Sequence, residues 1–578
     1  MAVLSTLHPD RKLAGVLAPL FALRGRHDLG VGDVAALREF ADWAAGQGFG
    51  LVQILPVNET GRENSPYNAI SSTALDPTTV DTRPSAIAEL DAADHAAVLA
   101  DFDLDAMRAG DVDYASVKRL KLTLLEKAFA RFESTGPARQ RRHAAFAKHH
   151  AAWLPGYTLF RVLMERQGTE QWDLWPEDRR RQADADRWLA GLSTSERDEF
   201  ERRRRFFAYV QEIAFRQWRS LQDHCARKNV ALMGDVPIGI NYYSSDVFSR
   251  PEQFLLEWSG GAPPEKAFKT DAFTEKWGQN WGVPRYDWEA MKRDGLEWWR
   301  QRVRVAREVF HLFRIDHILG FYRMYCFPWR PQRNEEFIPL TAAEASVRTG
   351  GALPGFKPRD DDTPAGRDAN RAEGEALLRV LLEEVGSFRL IGEDLGVVPD
   401  YVRPSLTSLG IAGFKIPQWE PGPDFALLPG ATYPRLSLTT YATHDHDPLR
   451  TVWERWVNAL AAADRGEVAR FDEANRARWE MQLLLDFAGP GWRANPIPWS
   501  QDIHLHLLRG LFASNSWIAV LMITDLFGTD ERFNVPGSIA DSNWSRRLDG
   551  TPSAWKRKRG LVDWLQKVHQ ALAESGRV

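Results

Sequence analysis

Residues 312–317 read LFRIDH, an apolar run that contains one arginine and ends in an aspartate and a histidine. A short run of this kind predicts a buried β-strand. Because side chains alternate along a strand, Arg314 and Asp316 are expected to point to the same face. The apolar residues before and into this run keep the spacing of one helical face: Trp299, Val303, Ala306, Phe310 and Phe313.

Seven further short apolar runs predict strands on either side of this one. They cover residues 15–19, 51–56, 231–237, 389–395, 413–419, 436–445 and 517–526. Helical patterns separate most of them; the first has a plausible cap at Asp33 and apolar residues at Leu37, Phe40, Ala41 and Ala44. Strands that alternate with helices indicate a parallel sheet, and eight of them predict an α/β fold of the (β/α)₈ TIM-barrel type.

The spacing of the predicted strands also predicts the domain organisation. Residues 80–215 are charged and helix-favouring, with Leu120, Leu124, Leu125 and Phe129 on one face, and are interpreted as a helical insertion between strands 2 and 3. A second insertion, at 330–375, follows strand 4. The whole chain, 1–578, is expected to form one catalytic barrel with large, mainly helical insertions and no separate C-terminal β-domain.

Composition excludes several classes of protein. The net charge is −4, from 74 basic and 78 acidic residues, so the chain lacks the basic field that nucleic-acid binding needs. Arginines 202–205 have acidic neighbours and predict an ion-paired helix face. Cys225 and Cys326 are far apart and predict reduced thiols. The apolar run at 13–23 loosely resembles a signal peptide, but Pro19 interrupts it, and we expect a cytoplasmic protein without membrane spans.

Four acidic residues lie at or near the ends of predicted strands: Asp235, Asp316, Glu393 and Asp445. The C-terminal ends of barrel strands share one mouth, so these carboxylates are expected to converge there. Clustered negative charges destabilise a fold, so this cluster indicates a chemical purpose. Glycosidic cleavage needs one carboxylate to attack the anomeric carbon and one protonated carboxyl to supply the leaving oxygen with its proton. Crowding is expected to raise the pKa of Glu393 for the second task.

Eight sequence motifs, which occur in family order along nearly the whole chain, resemble those of a known family. They are NSPYNAISSTALDP (64–77), GDVPIGI (234–240), GGAPP (260–264), GQNWGVPRYDW (278–288), FRIDHILGF (313–321), GEDLG (392–396), ATHDHD (442–447) and RFNVPGSIADSNWSRRL (532–548). The acidic quartet resembles that of the α-amylase superfamily. The words around it resemble the amylomaltase, or 4-α-glucanotransferase, family.

This resemblance implies a role for nine residues. Asp316 resembles the family's nucleophile, Glu393 its acid/base and Asp445 its transition-state stabiliser. The implied substrate-binding residues are Tyr67, Asp235, Trp281, Arg314, His444 and Asn534. The resemblance also implies a substrate-binding loop region at 250–290, maltooligosaccharides and α-glucans as donor and acceptor, no metal and no organic cofactor, and a monomer or homodimer.

The chain departs from the family pattern in three places. The loop after GGAPP, residues 264–277, is longer than usual; FKIPQWE (414–420) replaces a VLQF-like run; and His446 lies where asparagine is commoner. These departures leave donor length and acceptor choice open. A plain α-glucan hydrolase and a non-catalytic glucan-binding protein remain alternatives, and the HDH sequence at 444–446 also resembles a metal-ligand cluster.

Overall fold

Eight parallel strands close into a barrel in the computed structural model, which describes residues 7–264, 271–420, 427–467, 470–493, 497–536 and 542–578. The barrel strands are β1 (Leu13–Leu17), β2 (Leu51–Gln53), β3 (Ala231–Val236), β6 (Leu312–Ile315), β9 (Leu390–Gly392), β10 (Ala412–Lys415), β11 (Ser437–Thr439) and β12 (Ile518–Met522). Each pairs with its neighbour in chain order, and β1 pairs with β12 to close the ring. The predicted (β/α)₈ fold is therefore confirmed.

Two sequence predictions about element ends are wrong. The sequence predicts the seventh strand over 436–445, but β11 ends at Thr439, since the chain then turns with the Thr440 hydroxyl bonded to the Ala442 carbonyl. The helical spacing predicted to continue to Phe313 ends at Val309. Phe313 belongs to β6, where an apolar residue fits a buried strand as well as a buried helix face, so periodicity alone does not separate the two.

Helices surround the barrel and fill its insertions. Those in the first 250 residues are α1 (Val34–Gly46), α2 (Ala92–Leu99), α3 (Leu104–Ala109), α4 (Tyr114–Phe132), α5 (Pro137–His149), α6 (Leu154–Gln167), α7 (Gln182–Ala190), α8 (Thr194–Arg227) and α9 (Ser245–Ser249). The middle of the chain forms α10 (Ala272–Trp277), α11 (Trp288–Lys292), α12 (Glu297–Val309), α13 (Asn334–Phe337), α14 (Ala342–Arg348), α15 (Pro364–Val385) and α16 (Val402–Ser408). The last third forms α17 (Leu449–Asp464), α18 (Phe471–Ala488), α19 (Gln501–Ala513), α20 (Ile523–Phe527), α21 (Pro552–Trp555) and α22 (Arg559–Glu574).

Helix α1 begins at the predicted cap. The Asp33 side chain accepts hydrogen bonds from the backbone N–H groups of Ala35 and Ala36, which have no partner within the helix. Its other oxygen lies 3.2 Å from the fully buried ammonium of Lys121, on α4. One carboxylate thus both starts a barrel helix and neutralises a buried charge from the insertion between β2 and β3.

We expect Asp33→Ala to lower the free energy of unfolding by about 3 kcal/mol or more, because it removes a cap and leaves the Lys121 charge buried without its carboxylate. Urea unfolding measures the loss. Asp91→Ala is the matched control, since Asp91 caps α2 through two backbone N–H groups on the protein surface and has no buried charge as partner. Equal losses in the two variants would show that the buried ion pair contributes nothing.

Helices α2 to α8 lie between β2 and β3 in the chain. Leu120, Leu124 and Leu125 are completely buried on α4, facing the helices around them. The last of the group, α8, is 34 residues long and contacts α5 and α6 as well as α1, α12 and β3 of the barrel. Arginines 202–205 lie on its outer face and pair with Glu133, Glu126, Glu165 and Glu201, so the predicted ion-paired surface is confirmed.

Four further strands form a second sheet, which is antiparallel and separate from the barrel. The sequence did not predict this sheet. Its strands, in the order β5-β4-β7-β8, are β4 (Phe254–Ala262), β5 (Gln279–Tyr286), β7 (Met324–Phe327) and β8 (Gly355–Lys357). It has a small core of its own, formed by Phe273, Trp277, Phe327, Trp329, Phe337 and Ala345. Residues 265–270 of the unusual loop after GGAPP lie outside the described residues.

Two composition-based predictions concern thiols and membranes. Cys225 and Cys326 are buried, and neither forms a disulfide. Among the described residues, every helix is too short or too polar to cross a bilayer.

Candidate active site

Three of the four predicted carboxylates lie at the C-terminal ends of neighbouring barrel strands. Asp235 is the penultimate residue of β3, Asp316 directly follows β6, and Glu393 directly follows β9. These strands are adjacent in the barrel order, β9-β6-β3. The fold therefore brings the three carboxylates to one rim, as the sequence predicted.

Arg314, on β6, connects two of these carboxylates. One terminal nitrogen donates to the Asp235 carboxylate and, at 3.2 Å, to the Tyr67 hydroxyl; the other donates to Asp316. The Tyr67 hydroxyl in turn donates to Asp235 at 2.7 Å. Although burial disfavours its charge, the carboxylates of Asp235 and Asp316 raise the pKa of Arg314, so the guanidinium remains a cation. Asp316 is thus held in place by a permanent positive charge while its side chain stays partly exposed.

Glu393 differs from Asp316 in its electrostatic environment. Burial raises the pKa of Glu393 to about 8, the Asp316 carboxylate adds to the increase, and Arg314 opposes it. One carboxyl oxygen accepts a 2.7 Å hydrogen bond from the backbone N–H of His317, the residue after Asp316. His317 has φ +46°, the left-handed conformation that is rare for a residue with a side chain. This turn links Asp316 directly to the backbone N–H that binds Glu393, so the two carboxyl groups share one part of the rim.

Asp445 reaches the site from a loop instead of a strand end. It lies six residues beyond the end of β11, which corrects the predicted placement. Asn534 donates to one of its oxygens at 2.6 Å, and the His444 ring lies 3.2 Å from the other. Burial alone would raise the pKa of Asp445, but His444 and Asn534 lower it below its usual range. Asp445 is therefore a stable anion.

Aromatic rings support the polar residues. The rings of Tyr67 and His444 stack nearly in parallel, with centroids 5.1 Å apart and planes 9° from each other. The indole of Trp544 lies 5.8 Å from both rings. Burial and the Asp235 charge raise the pKa of Tyr67, so its hydroxyl remains a hydrogen-bond donor.

Trp281 lies on β5, in the antiparallel sheet. Its side chain is 38% exposed, and its ring lies 5.0 Å from the ring of His317 at an angle of 85°. An exposed indole in this position offers a flat apolar face next to the strained turn between Asp316 and Glu393. The structure thus places all nine sequence-predicted site residues in one connected region.

Sequence reasoning missed three residues of this region. Arg532 donates to the Asp445 carbonyl at 2.8 Å and pairs with Asp447, which fixes the loop that carries Asp445. Trp544 completes the aromatic group. Arg532 and Trp544 lie in the motif RFNVPGSIADSNWSRRL, and Asp447 is the last residue of ATHDHD. Nothing in the spacing of these motifs distinguishes the three residues from their neighbours.

The HDH sequence does not assemble metal ligands. His446 uses its Nδ1 atom to bond the Thr443 hydroxyl at 2.8 Å, and His444 is engaged with Asp445. Among the described residues, three possible ligands meet only at His149, His150 and Glu308. Glu308 precedes β6, at the end of the barrel opposite the site, and Arg219 already donates to its carboxylate.

An arginine-held carboxylate beside a protonated carboxyl, with a third carboxylate kept ionised, is the set of groups that retaining cleavage of a glycosidic bond requires. The barrel and this site together define a class of protein, the barrel enzymes that act on glycosidic bonds.

Comparison with known proteins narrows this class. A family model described as 4-alpha-glucanotransferase matches residues 18–552. The 4-alpha-glucanotransferase of Chlamydia pneumoniae is 29% identical over 92% of this chain and 91% of its own length, and that of Streptococcus pneumoniae is 28% identical over 98% of both. The chain belongs to the 4-alpha-glucanotransferase family.

Solved structures agree with the fold. The amylomaltase of Streptococcus agalactiae, in complex with acarbose, has a TM-score of 0.71 and 20% identity over 98% of this chain and all of that one. The amylomaltase of Corynebacterium glutamicum has a TM-score of 0.76 and 19% identity, covering 99% of this chain and 77% of its own. Both share the barrel described above.

Proposed function

We propose that this 4-α-glucanotransferase disproportionates maltooligosaccharides by a retaining double displacement. In the first step an Asp316 oxygen attacks the anomeric carbon of the donor. The bond from that carbon to the leaving oxygen breaks, and the Glu393 proton moves to that oxygen. The observation that carries the proposal is the pairing of Asp316, fixed by Arg314, with Glu393, whose pKa burial raises to about 8.

The second step transfers the bound sugar to an acceptor. The Glu393 carboxylate takes the proton from an acceptor hydroxyl, whose oxygen attacks the anomeric carbon while the ester bond to Asp316 breaks. Both carboxyl groups return to their starting state, and the new linkage has the original α configuration. In this proposal Asp445 stabilises the positive charge that develops on the sugar ring in both transition states.

The remaining predicted residues are proposed to hold the sugar beside these three carboxyls. Asp235 Oδ1, Arg314 Nε and His444 Nδ1 are buried polar atoms without a hydrogen-bond partner among the described residues. Buried polar atoms need partners, and a polyhydroxylated ligand supplies them. Tyr67 and Trp281 offer flat apolar faces to sugar rings, and Asn534 orients Asp445.

The proposal includes the organisation and setting of the enzyme. Donor and acceptor are maltooligosaccharides, glucose or longer α-glucans, handled by a cytoplasmic monomer or homodimer that binds neither nucleic acid nor membranes. The catalytic unit is the barrel over 1–578, the 250–290 region contacts the substrate, and the helices over 80–215 and the segment at 330–375 are insertions.

We expect incubation with maltotriose alone to give a ladder of longer maltooligosaccharides and free glucose, while the total number of reducing ends stays constant. Chromatography of the products, a glucose assay and a reducing-end assay measure the three quantities. Transfer conserves reducing ends because each broken glycosidic bond is replaced by another. Reducing ends that increase while only shorter products form would indicate a hydrolase on the same barrel. Unchanged maltotriose would favour a glucan-binding protein.

A further inference from the structure

Trp544 occupies an unusual backbone conformation beside the proposed catalytic residues. Its φ is +63°, in the left-handed region where a side chain crowds the backbone and where glycine is usual. A large residue is kept in such a conformation only when its surroundings fix it, and strain of this kind concentrates at functional sites. The conformation of Trp544 therefore indicates that its neighbours hold it and that its indole has a role in the site.

The indole packs against two aromatic residues, each of which contacts a carboxylate of the site. Its ring centroid lies 5.8 Å from the centroids of both Tyr67 and His444. Tyr67 donates to Asp235, and His444 contacts Asp445. Trp544 thus contacts the side chains that hold two carboxylates, Asp235 on strand β3 and Asp445 in the loop after β11.

The insertion between β2 and β3 fixes the backbone of Trp544. The hydroxyl of Tyr114, at the start of α4, donates a 2.6 Å hydrogen bond to the Trp544 carbonyl. The backbone N–H of Val112 donates to the carbonyl of the next residue, Ser545, at 2.8 Å. On the other side, the Trp544 N–H donates to the Phe533 carbonyl at 2.8 Å. The segment is therefore held on two sides, once by the insertion and once by the chain that carries Asn534.

We propose that Trp544 is a positioning residue, which keeps Tyr67 and His444 stacked, and that the helical insertion holds Trp544 in place through the Tyr114 hydroxyl. The inference rests on the proposed function, since the reaction it serves is the transfer. Without the indole, the two rings can rotate apart, and Asp235 and Asp445 lose their alignment. Misplacement of this kind slows the chemical step more than it weakens binding.

The first test compares Trp544→Leu and Trp544→Phe in the maltotriose transfer assay. Trp544→Leu removes the ring, and we expect kcat to fall on the order of 10²-fold with little change in KM. Trp544→Phe keeps an aromatic face and is expected to restore most of kcat. Unchanged kcat in Trp544→Leu, a loss confined to KM, or a Phe variant no better than Leu would each overturn the proposal.

The second test leaves the indole in place and removes only its support. Tyr114→Phe deletes one hydroxyl, and we expect kcat to fall about tenfold. Tyr209→Phe is the matched control, because the Tyr209 hydroxyl also bonds within the insertion, to Glu89, and contacts nothing near Trp544. Equal kcat values for the two variants would contradict the role given to Tyr114.

A double variant connects the two tests. If Tyr114 acts through Trp544, adding Tyr114→Phe to Trp544→Leu is expected to cause no further loss of kcat, whereas independent effects multiply. Wild-type protein in the same assay separates the two levels of inference. A wild type that does not transfer would refute the proposed function, whereas a transferring wild type with unaffected variants would refute the role of Trp544 alone.

Discussion

Asp316→Asn is expected to lower kcat/KM for transfer from maltotriose on the order of 10⁴-fold while the protein remains folded. An amide oxygen is too weak a nucleophile to form the glycosyl ester, so the first step is lost. The fold is expected to survive because Arg314 keeps its contacts with Asp235 and Tyr67. Asparagine has nearly the same shape and still accepts a hydrogen bond from the guanidinium.

The transfer assay measures the loss of kcat/KM, and a melting curve measures whether the protein remains folded. Asp361→Asn is a matched control, since Asp361 is also a partly buried aspartate paired with an arginine, Arg323 at 2.7 Å, but has no part in the site. Its transfer rate is expected to stay within a factor of two of wild type. If Asp316→Asn retained the wild-type rate, another residue would have to be the nucleophile.

Glu393→Gln is expected to lower transfer from maltotriose on the order of 10³-fold, because no proton is then available for the leaving oxygen. Fluoride leaves without a proton, so an α-maltosyl fluoride donor is expected to give a burst of about one fluoride per enzyme, followed by slow turnover. The burst reports intact attack by Asp316. Absence of both burst and turnover would mean that Glu393 does more than transfer a proton.

The raised pKa of Glu393 makes two further predictions about pH. The acid form is needed for the first step, so kcat/KM for maltotriose is expected to fall as the pH rises through about 8. The same limb should be absent with α-maltosyl fluoride. If kcat/KM decreased equally above pH 8 with both donors, the decrease would have to come from the titration of another group.

The second consequence concerns stability. In the unfolded chain Glu393 titrates near its ordinary value of 4.5, whereas in the folded protein it titrates at about 8. Folding therefore takes up a proton between these values, and stability decreases as the pH rises through that window. We expect Glu393→Gln to raise Tm at pH 9, where the buried charge is largely formed, and to leave Tm unchanged near pH 4.5. An increase in Tm that was the same at both pH values would show that the Glu393 charge is not its cause.

The sequence allowed prediction of the barrel and of the residues attached directly to it. Asp235, Asp316 and Glu393 are within or directly after strands whose apolar runs are easy to recognise, and parallel strand ends share one rim. Arg314 followed from strand alternation. These positions depend only on local chain geometry and on the rule that strands of this kind close into a barrel.

The parts that the sequence did not predict depend on contacts between distant segments. Asp445 lies in a loop, held by Asn534 from another loop, so no local pattern gives its position. The antiparallel sheet joins strands that lie between residues 254 and 357, and its longest pair, β4 with β5, is interrupted by shifts of register. Trp544 is placed by Tyr114, which lies 430 residues away in the chain. Periodicity carries no information about such pairs.

The 34-residue helix α8 has a consequence for the ancestry and engineering of this protein. At 1.5 Å per residue it forms a rod about 50 Å long, whose first part belongs to the insertion and whose last part leads directly into β3. The helical insertion and the barrel therefore share one continuous piece of backbone. Exchanging insertions between family members therefore requires either cutting helix α8 or transferring all of it. We expect the insertion and the barrel to be inherited together, and a substitution in one to favour compensating substitutions in the other.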